Sequence, residues 1–397
     1  MSTSVWPAPS SARPDPGAVP ASASEPENHS RIIEFVLAIG LTVPLTVPLL
    51  NLPSPEVAGL LLVLYGWFLP TDIGQERPRW FPVLLVLLWV ELAVSAVLNG
   101  VDGTRRLGHL AIFILLALMI SSGRLHRLSL LRGMALGLFF AAITAIVARF
   151  LGIEGAYGER LTGLFSDPNV AGFHLVVFGA LVMTGARSGF RRWLGAAALL
   201  IAIGLTLSRT SLIATILGLV WLLLYKRVPG RWALALLAAS FPALMAYAES
   251  FRYWGPFSER TGSDALRDRI LLAEEQLLPI SPWYGRGPGT AYVQVDGSNF
   301  FFHSSYLGLL NEAGRIGFVI FLVGVVALLF RLVGMPTELR QPWYEAAIVA
   351  FLLCAFNLGE VLLEIPTAVT LGMAMRHLLR PRELSQFEAD HNPGHVL

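Results

Sequence analysis

Among 397 residues there is one cysteine, Cys354. It can form no internal disulfide, and a lone thiol in an apolar run behaves as a small hydrophobe. No Cys/His spacing fits a metal-ligand set, and there is no Asp-x-Asp pair and no serine nucleophile elbow. A cation-assisted mechanism is therefore not suggested, and no cofactor is implied. Charge is scarce as well: Asp, Glu, Lys and Arg make up 14% of the chain, against about 25% in soluble proteins. No basic tract interleaves with aromatics, which argues against a nucleic-acid partner. Residues 1–30 lack the basic start and continuous apolar centre of a secretory signal. Rich in Pro, Ala and Ser, they read as a disordered cytoplasmic tail, with 381–397 as a second tail.

What is present is apolar: 55% of residues are hydrophobic and the mean hydropathy is strongly positive. Charge confined to a few places in such a chain is the pattern of a polytopic membrane protein. A helix needs roughly 20 apolar residues to cross the hydrocarbon. About twelve candidate spans are read on that basis: Ile32–Leu50, Val57–Phe68 (short), Trp80–Leu98, Leu107–Ile120, Leu130–Leu151, Val170–Gly185, Trp193–Leu207, Leu212–Tyr225, Trp232–Ala248, Tyr306–Leu332, Glu345–Val361 and Leu363–Leu379. Trp193 to Tyr225 is broken only at Ser208-Arg209-Thr210. As one helix it would run about 50 Å, too long for one crossing, so it is read as a hairpin with Arg209 at the tip.

The expected fold class is thus all-α and polytopic, one transmembrane domain over 31–380 with a long polar external loop at about 250–304. Arginines near span ends set the orientation. Arg77 and Arg79, Arg124 to Arg132, Arg187 to Arg192, Arg227 and Arg231, Arg331 and Arg340, and Arg376 to Arg382 share one side, taken as cytoplasmic together with both termini. The loop, Arg160 and Arg209 fall outside. Arg105 and Arg106 do too, against the rule: either they meet an anion there or a span is miscounted.

The outer side carries the chemistry-bearing residues. Arg160 precedes Asp167-Pro168-Asn169, a good turn and helix-start signal; Asp167 and Asn169 serve either that turn or a ligand. Arg209 between two apolar spans either snorkels to headgroups or contacts phosphate, which its guanidinium fork matches. In the loop, Ser263 to Leu278 reads as a short helix with Ser263 as cap. Its apolar stripe of Leu266, Ile270, Leu277 and Leu278 suits a membrane surface. Arg267 near the start of that helix opposes the dipole, which favours an anionic partner, Asp264 and Asp268 included. Pro282 to Gly289, with Arg286, is a glycine-rich turn without the Lys-Ser/Thr of a P-loop, and a rigid chain reversal is its better reading. His303 closes the loop; histidine is the side chain best poised for proton transfer near neutral pH. Glu312, Glu360 and Glu364 either take part in function or neutralise the arginines.

Taken together, these residues resemble the O-antigen ligase and Wzy-type polysaccharide polymerase superfamily of bacterial membrane glycosyltransferases. The matching pieces are Arg160-Leu161-Thr162-Gly163 with Asp167-Pro168-Asn169, then Leu205-Thr206-Leu207-Ser208-Arg209-Thr210. Arg267 follows, 18 residues before Gly285-x-Gly287-x-Gly289, then His303-x-x-Tyr306-Leu307 and Asn311-Glu312-x-Gly314-x-Ile316-Gly317. The family often has Asn where this chain has Ser304, and Trp where it has Leu271. The resemblance implies a GT-C-like helical fold in the bacterial inner membrane with a periplasmic active site. It implies an undecaprenyl-diphosphate-linked oligosaccharide donor and, as acceptor, lipid A-core or a second lipid-linked glycan, with polysaccharide assembly proteins as possible partners. Arg209 and Arg267 would bind the donor diphosphate, and His303 would act as base or place the acceptor. Arg160, Asn169, Arg286, Tyr306 and Glu312 would line the substrate. Transfer would be direct, inverting and metal-independent. Two rival readings stand beside it: a transporter or flippase of lipid-linked glycans, and a non-catalytic partner of a glycan export complex.

Overall fold

The computed structural model describes residues 31–71, 79–152, 160–165, 167–186, 189–250 and 261–391. The expected tail 1–30 lies outside them, as do Arg77, Ser166, Arg187 and residues 392–397; so do the side chains of Arg191, Arg192, Ser263, Asp264, Arg380 and Arg382.

The described residues form an all-α structure of thirteen helices with two short antiparallel ribbons. The helices are α1 (Ile32–Thr42), α2 (Ser54–Trp67), α3 (Trp80–Asn99), α4 (Thr104–Ser121), α5 (Arg127–Phe150), α6 (Pro168–Met183), α7 (Phe190–Leu205), α8 (Arg209–Leu224), α9 (Gly230–Ser250), α10 (Thr261–Leu277), α11 (Ser305–Val333), α12 (Pro342–Cys354) and α13 (Ile365–His391). Strands β1 (Thr46–Val47) and β2 (Leu52–Pro53) pair between α1 and α2, and β3 (Tyr292–Val295) and β4 (Ser298–Phe301) pair within the polar loop.

Each expected span contains a helix, but the count of crossings needs correction. Among the described residues four helices, not twelve, are long and apolar enough to cross a membrane: α3, α4, α5 as far as Ala148, and α11. They make this a candidate multi-pass membrane protein. The difference is one of length. Helices α6, α7 and α8 have 16 residues each and α12 has 13, and 16 residues rise only about 24 Å. Helix α1 stops after 11 residues, where Val43-Pro44 turns extended and the β1–β2 ribbon begins. Helix α9 holds Pro242 inside it. Helix α13 continues to His391, beyond the tail boundary expected at 381.

The contacts sort the helix ends into two groups. At one end, the Arg31 guanidinium donates to the Arg124 carbonyl and pairs with Glu34 at 3.2 Å, Arg124 donates to the carbonyls of Gly66, Trp67 and Leu69, and Arg376 donates to the carbonyl of Leu125. Arg340 also lies at a helix end, buried against Glu345 and the Tyr225 carbonyl. Arg124, Arg340 and Arg376 are residues assigned to the arginine-rich side by sequence; Arg124 and Arg340 cap the carbonyl-rich ends of α2 and α8, and Arg31 and Arg376 hold the α4–α5 turn. The other group contains the start of α6, the α7–α8 turn, the α12–α13 turn and the polar loop. Between the ends runs one apolar core that includes Leu62, Leu88, Phe113, Phe178, Trp221 and Phe351, all buried.

Helix α11 is broken at Gly314, whose φ of 63° and ψ of −168° are not helical. The glycine turn fills the break. The Arg286 amide donates to the Asn311 carbonyl at 2.7 Å, the Gly287 amide to the Glu312 carbonyl at 3.1 Å, and the Arg315 amide to the Trp283 carbonyl at 2.8 Å. Two carbonyls and one amide orphaned by the kink thus find partners in the loop, as buried backbone must. The chain reversal expected at Pro282–Gly289 is therefore also a wedge that fixes the loop to the bundle.

Candidate active site

Three helix N-termini meet at the loop end of the bundle. Asp167 caps α6, accepting the amides of Asn169 and Val170 at 2.7 and 3.2 Å, with Pro168 in the first turn. This is the helix start that its sequence advertised. Ser208 caps α8, and its first residue is Arg209. Ser304 caps α11, immediately after His303. The ends of α6 and α8 touch: a Cβ on Gly172 would fall 2.3 Å from the Ser211 hydroxyl, so only glycine permits that approach. Thr210 lies 3.4 Å from the Asn357 amide, and the Ser305 hydroxyl donates to the nearby carbonyls of Leu358 and Gly359. The α12–α13 turn thus ties the start of α8 to the start of α11.

Arg160 bridges the first two elements. Its guanidinium donates to the Asn169 side-chain oxygen at 2.8 Å and to the Thr206 carbonyl at 3.2 Å. Arg160, Asn169 and the turn bearing Arg209 are thereby one unit. Arg209 sits half-buried at the tip between α7 and α8, as expected; Leu207 just before it has a φ of 49°, which turns the chain.

The loop supplies the other half. Helix α10 lays Ile270 against Val293 and Val295 of the β3–β4 ribbon and Phe302 just after it, with Leu266, Ala273 and Leu277 around it. The stripe expected to lie on a membrane surface packs instead on this ribbon, because the ribbon presents its own apolar face. Arg267 and Glu274 are seven residues apart, two helical turns, and so share a face of α10. Glu274 accepts the His303 amide at 2.5 Å. Burial pushes the Glu274 carboxyl up to about 7 against the pull of the His303 and Ser304 amides. His303 is held below its ordinary value, by burial first and then by the Arg267 charge; the Phe301 carbonyl and Asp167 act the other way. Arg267, Asp167 and Glu274 therefore surround His303.

The remaining expected residues go elsewhere. Glu312 receives the Gly289 amide at 2.9 Å and pairs with Arg106 at 3.4 Å, and Arg106 also meets Glu360 at 3.2 Å. That is the anion which the misplaced arginine required, and Glu312 acts in it as a clamp on the glycine turn. Arg286 is anchored through its backbone amide, beside the same clamp. The Tyr306 hydroxyl donates to the Leu352 carbonyl at 2.7 Å and its ring lies 4.6 Å from that of Phe356, so it fastens α11 to α12. Glu274 was missed by sequence reasoning. The available signal was an acid inside the apolar stripe of α10, in register with Arg267.

Among the described residues, no group of three or more His, Cys, Asp or Glu is arranged to hold a metal ion. An apolar cavity opens between α6, α7, α8 and α12. Its lining includes Ile203, Ala214 and Thr215 toward the Arg209 end and Met183, Leu222 and Trp343 toward the other. No protein-family model matches this chain, and no curated protein matches it.

Proposed function

We propose that this chain is a membrane glycosyltransferase that moves a glycan from a polyprenyl-diphosphate carrier, as polymerase or ligase of a surface polysaccharide. The observation that carries the reading is twofold: Arg160 ties the start of α6 to the turn bearing Arg209, and Arg267 of α10 and Asp167 of the α6 cap act on His303 at the start of α11. Helix N-termini favour anions, and guanidinium forks match phosphate. A departing diphosphate gains negative charge, and groups already in place stabilise charge that develops. His303, whose proton affinity is lowered by burial and by the Arg267 charge, is placed to exchange a proton with an acceptor hydroxyl. The apolar cavity beneath Arg209 is of a kind to receive a lipid tail. In this reading the four apolar helices are part of a GT-C-like domain in a bacterial inner membrane, with the loop on the periplasmic side.

The test uses purified protein in detergent with lipid-linked oligosaccharide extracted from the producing membranes. Transfer to acceptor, with release of polyprenyl diphosphate, is expected. No product under conditions where the protein is folded counts against the reading. A deletion strain then separates the two subclasses: short single-unit glycans mark a polymerase, and full-length glycans left on the carrier mark a ligase.

One observation favours a transporter as second reading. His109 lies buried between Glu56 at 3.1 Å and Glu364 at 3.7 Å, the type of ionisable group found along membrane proton paths. Transfer in detergent, where no compartment exists, excludes transport as the sole activity.

A further inference from the structure

The sequence comparisons and motifs leave Glu274 without a role, yet its surroundings are unusual. Its side chain has no exposed surface. One carboxylate oxygen takes the His303 amide. The other, Oε2, is buried without a hydrogen bond of good geometry among the described residues, although the Ser304 amide also acts on the carboxyl; Nδ1 of the His303 ring is likewise buried without one, although the Phe301 carbonyl acts on the ring. Buried polar groups are nearly always paired. Here two orphaned atoms belong to two residues already joined through a main-chain hydrogen bond. Nδ1 of a histidine is only four bonds from its own backbone nitrogen. A carboxylate fixed on that nitrogen is therefore within a ring rotation of Nδ1.

We propose that Glu274 is the positioning residue for His303: its free oxygen accepts the Nδ1–H, which orients the imidazole and leaves Nε2 to take the proton of the acceptor hydroxyl. The last clause rests on the glycan-transfer reading; the pairing itself does not. In the step, the acceptor O–H proton passes to Nε2 while the acceptor oxygen bonds the anomeric carbon. The bond from that carbon to the diphosphate oxygen breaks, and the diphosphate leaves with the electron pair, facing Arg209 and Arg267. The imidazolium so formed keeps its Nδ1–H on the Glu274 carboxylate, whose charge balances it, the division of labour of an acid–histidine pair in hydrolases.

The neighbours fit this role. Arg267 lies on the same face of α10, Glu275 beside Glu274, and Asp167 across from His303 at the start of α6. Asp167 and the Glu274 carboxylate both favour the imidazolium form, and the Arg267 charge opposes it.

Glu274→Gln is the informative variant, because its amide oxygen can still accept the His303 amide and keep the backbone anchor. It is expected to fold and to melt no lower than wild type. Its kcat should fall by at least about tenfold, part of the 10²–10⁴ that a positioned base contributes, with KM for the lipid-linked donor unchanged. Its pH–rate profile should lose the acid limb near pH 7. Glu274→Asp should recover part of kcat, and it carries the comparison if the Gln variant does not fold. Wild-type kcat and pH profile in Glu274→Gln overturn the proposal. A second readout needs no turnover: the His303 ring resonances, assigned by their loss in His303→Gln, should show in wild type an inflection near pH 7 that Glu274→Gln lacks. Identical titration curves overturn the pairing. If wild-type protein transfers no glycan yet the inflection is present, the transfer reading fails and the pairing stands.

Discussion

Replacing Gly314 by alanine tests the joint that holds the loop half of the site against the bundle half. A Cβ at this position would lie 2.1 Å from the Trp283 carbonyl oxygen, 2.4 Å from the Gly285 nitrogen and 2.5 Å from the Tyr284 carbonyl carbon. All three are backbone, so no side chain can swing aside. The φ of 63° with ψ of −168° belongs to a region open essentially to glycine alone, at about 1–3 kcal/mol for another residue. Relief requires the glycine turn to retreat, which breaks the hydrogen bonds Arg286 to Asn311, Gly287 to Glu312 and Arg315 to Trp283, each worth about 0.5–1.5 kcal/mol net. Together these come to about 2.5–7.5 kcal/mol. Thermal unfolding of purified protein in detergent should drop by about 5 °C or more, and limited proteolysis should cut first within the loop. Gly195→Ala is the control: nothing lies within 4 Å of its added Cβ, and alanine in the middle of α7 should gain up to about 1 kcal/mol. A Gly314→Ala protein that melts like Gly195→Ala would refute the wedge.

Further outcomes follow from the same geometry. Arg209→Ala and Arg267→Ala should each lower transfer by about 10²–10³ while the protein still inserts, as loss of one preorganised charge contact does; near-wild-type glycan assembly by either sinks the diphosphate assignment. Tyr306→Phe should reduce stability by about 1 kcal/mol through the lost bond to Leu352 and leave KM unchanged, whereas a raised KM would return Tyr306 to the substrate surface. Arg340→Met strands Glu345, which it meets at 2.6 Å with both side chains almost wholly buried; breaking such a pair from one side costs about 3–5 kcal/mol, and unfolding in detergent reads it. Glu274 sets a pH dependence of stability. Its carboxyl is raised in the folded protein to about 7 from an unfolded value near 4.5, so its contribution is fully present below about 4.5 and is lost as pH rises through about 7. The melting point should therefore fall over that window and fall less in Glu274→Gln; an unchanged slope contradicts the assignment.

Much of the helical order was legible because hydrophobic runs and caps are local signals. Asp167-Pro168-Asn169 and Ser208-Arg209 begin helices where they stand in the chain, since side-chain oxygens and the proline ring act on amides two or three residues away. The confinement of charge and the separation of most arginines from the polar loop were also matters of composition. Tertiary structure decided the rest. Apolarity could not say where a helix stops short of crossing, because α1, α6, α7, α8 and α12 end where packing and turns end them. Nor could it pair Arg106 with Glu312 across 206 positions, or turn the α10 stripe from a membrane toward Val293 and Phe302. Gly314 and the glycine turn looked like separate features until each filled the space the other left. Glu274 looked like one acid among many, and only the fold set its carboxylate on the His303 amide. Sequence determines which residues carry charge, end helices and prefer lipid; contacts between distant segments determine which of those charges meet, because only burial removes the water that would otherwise satisfy them.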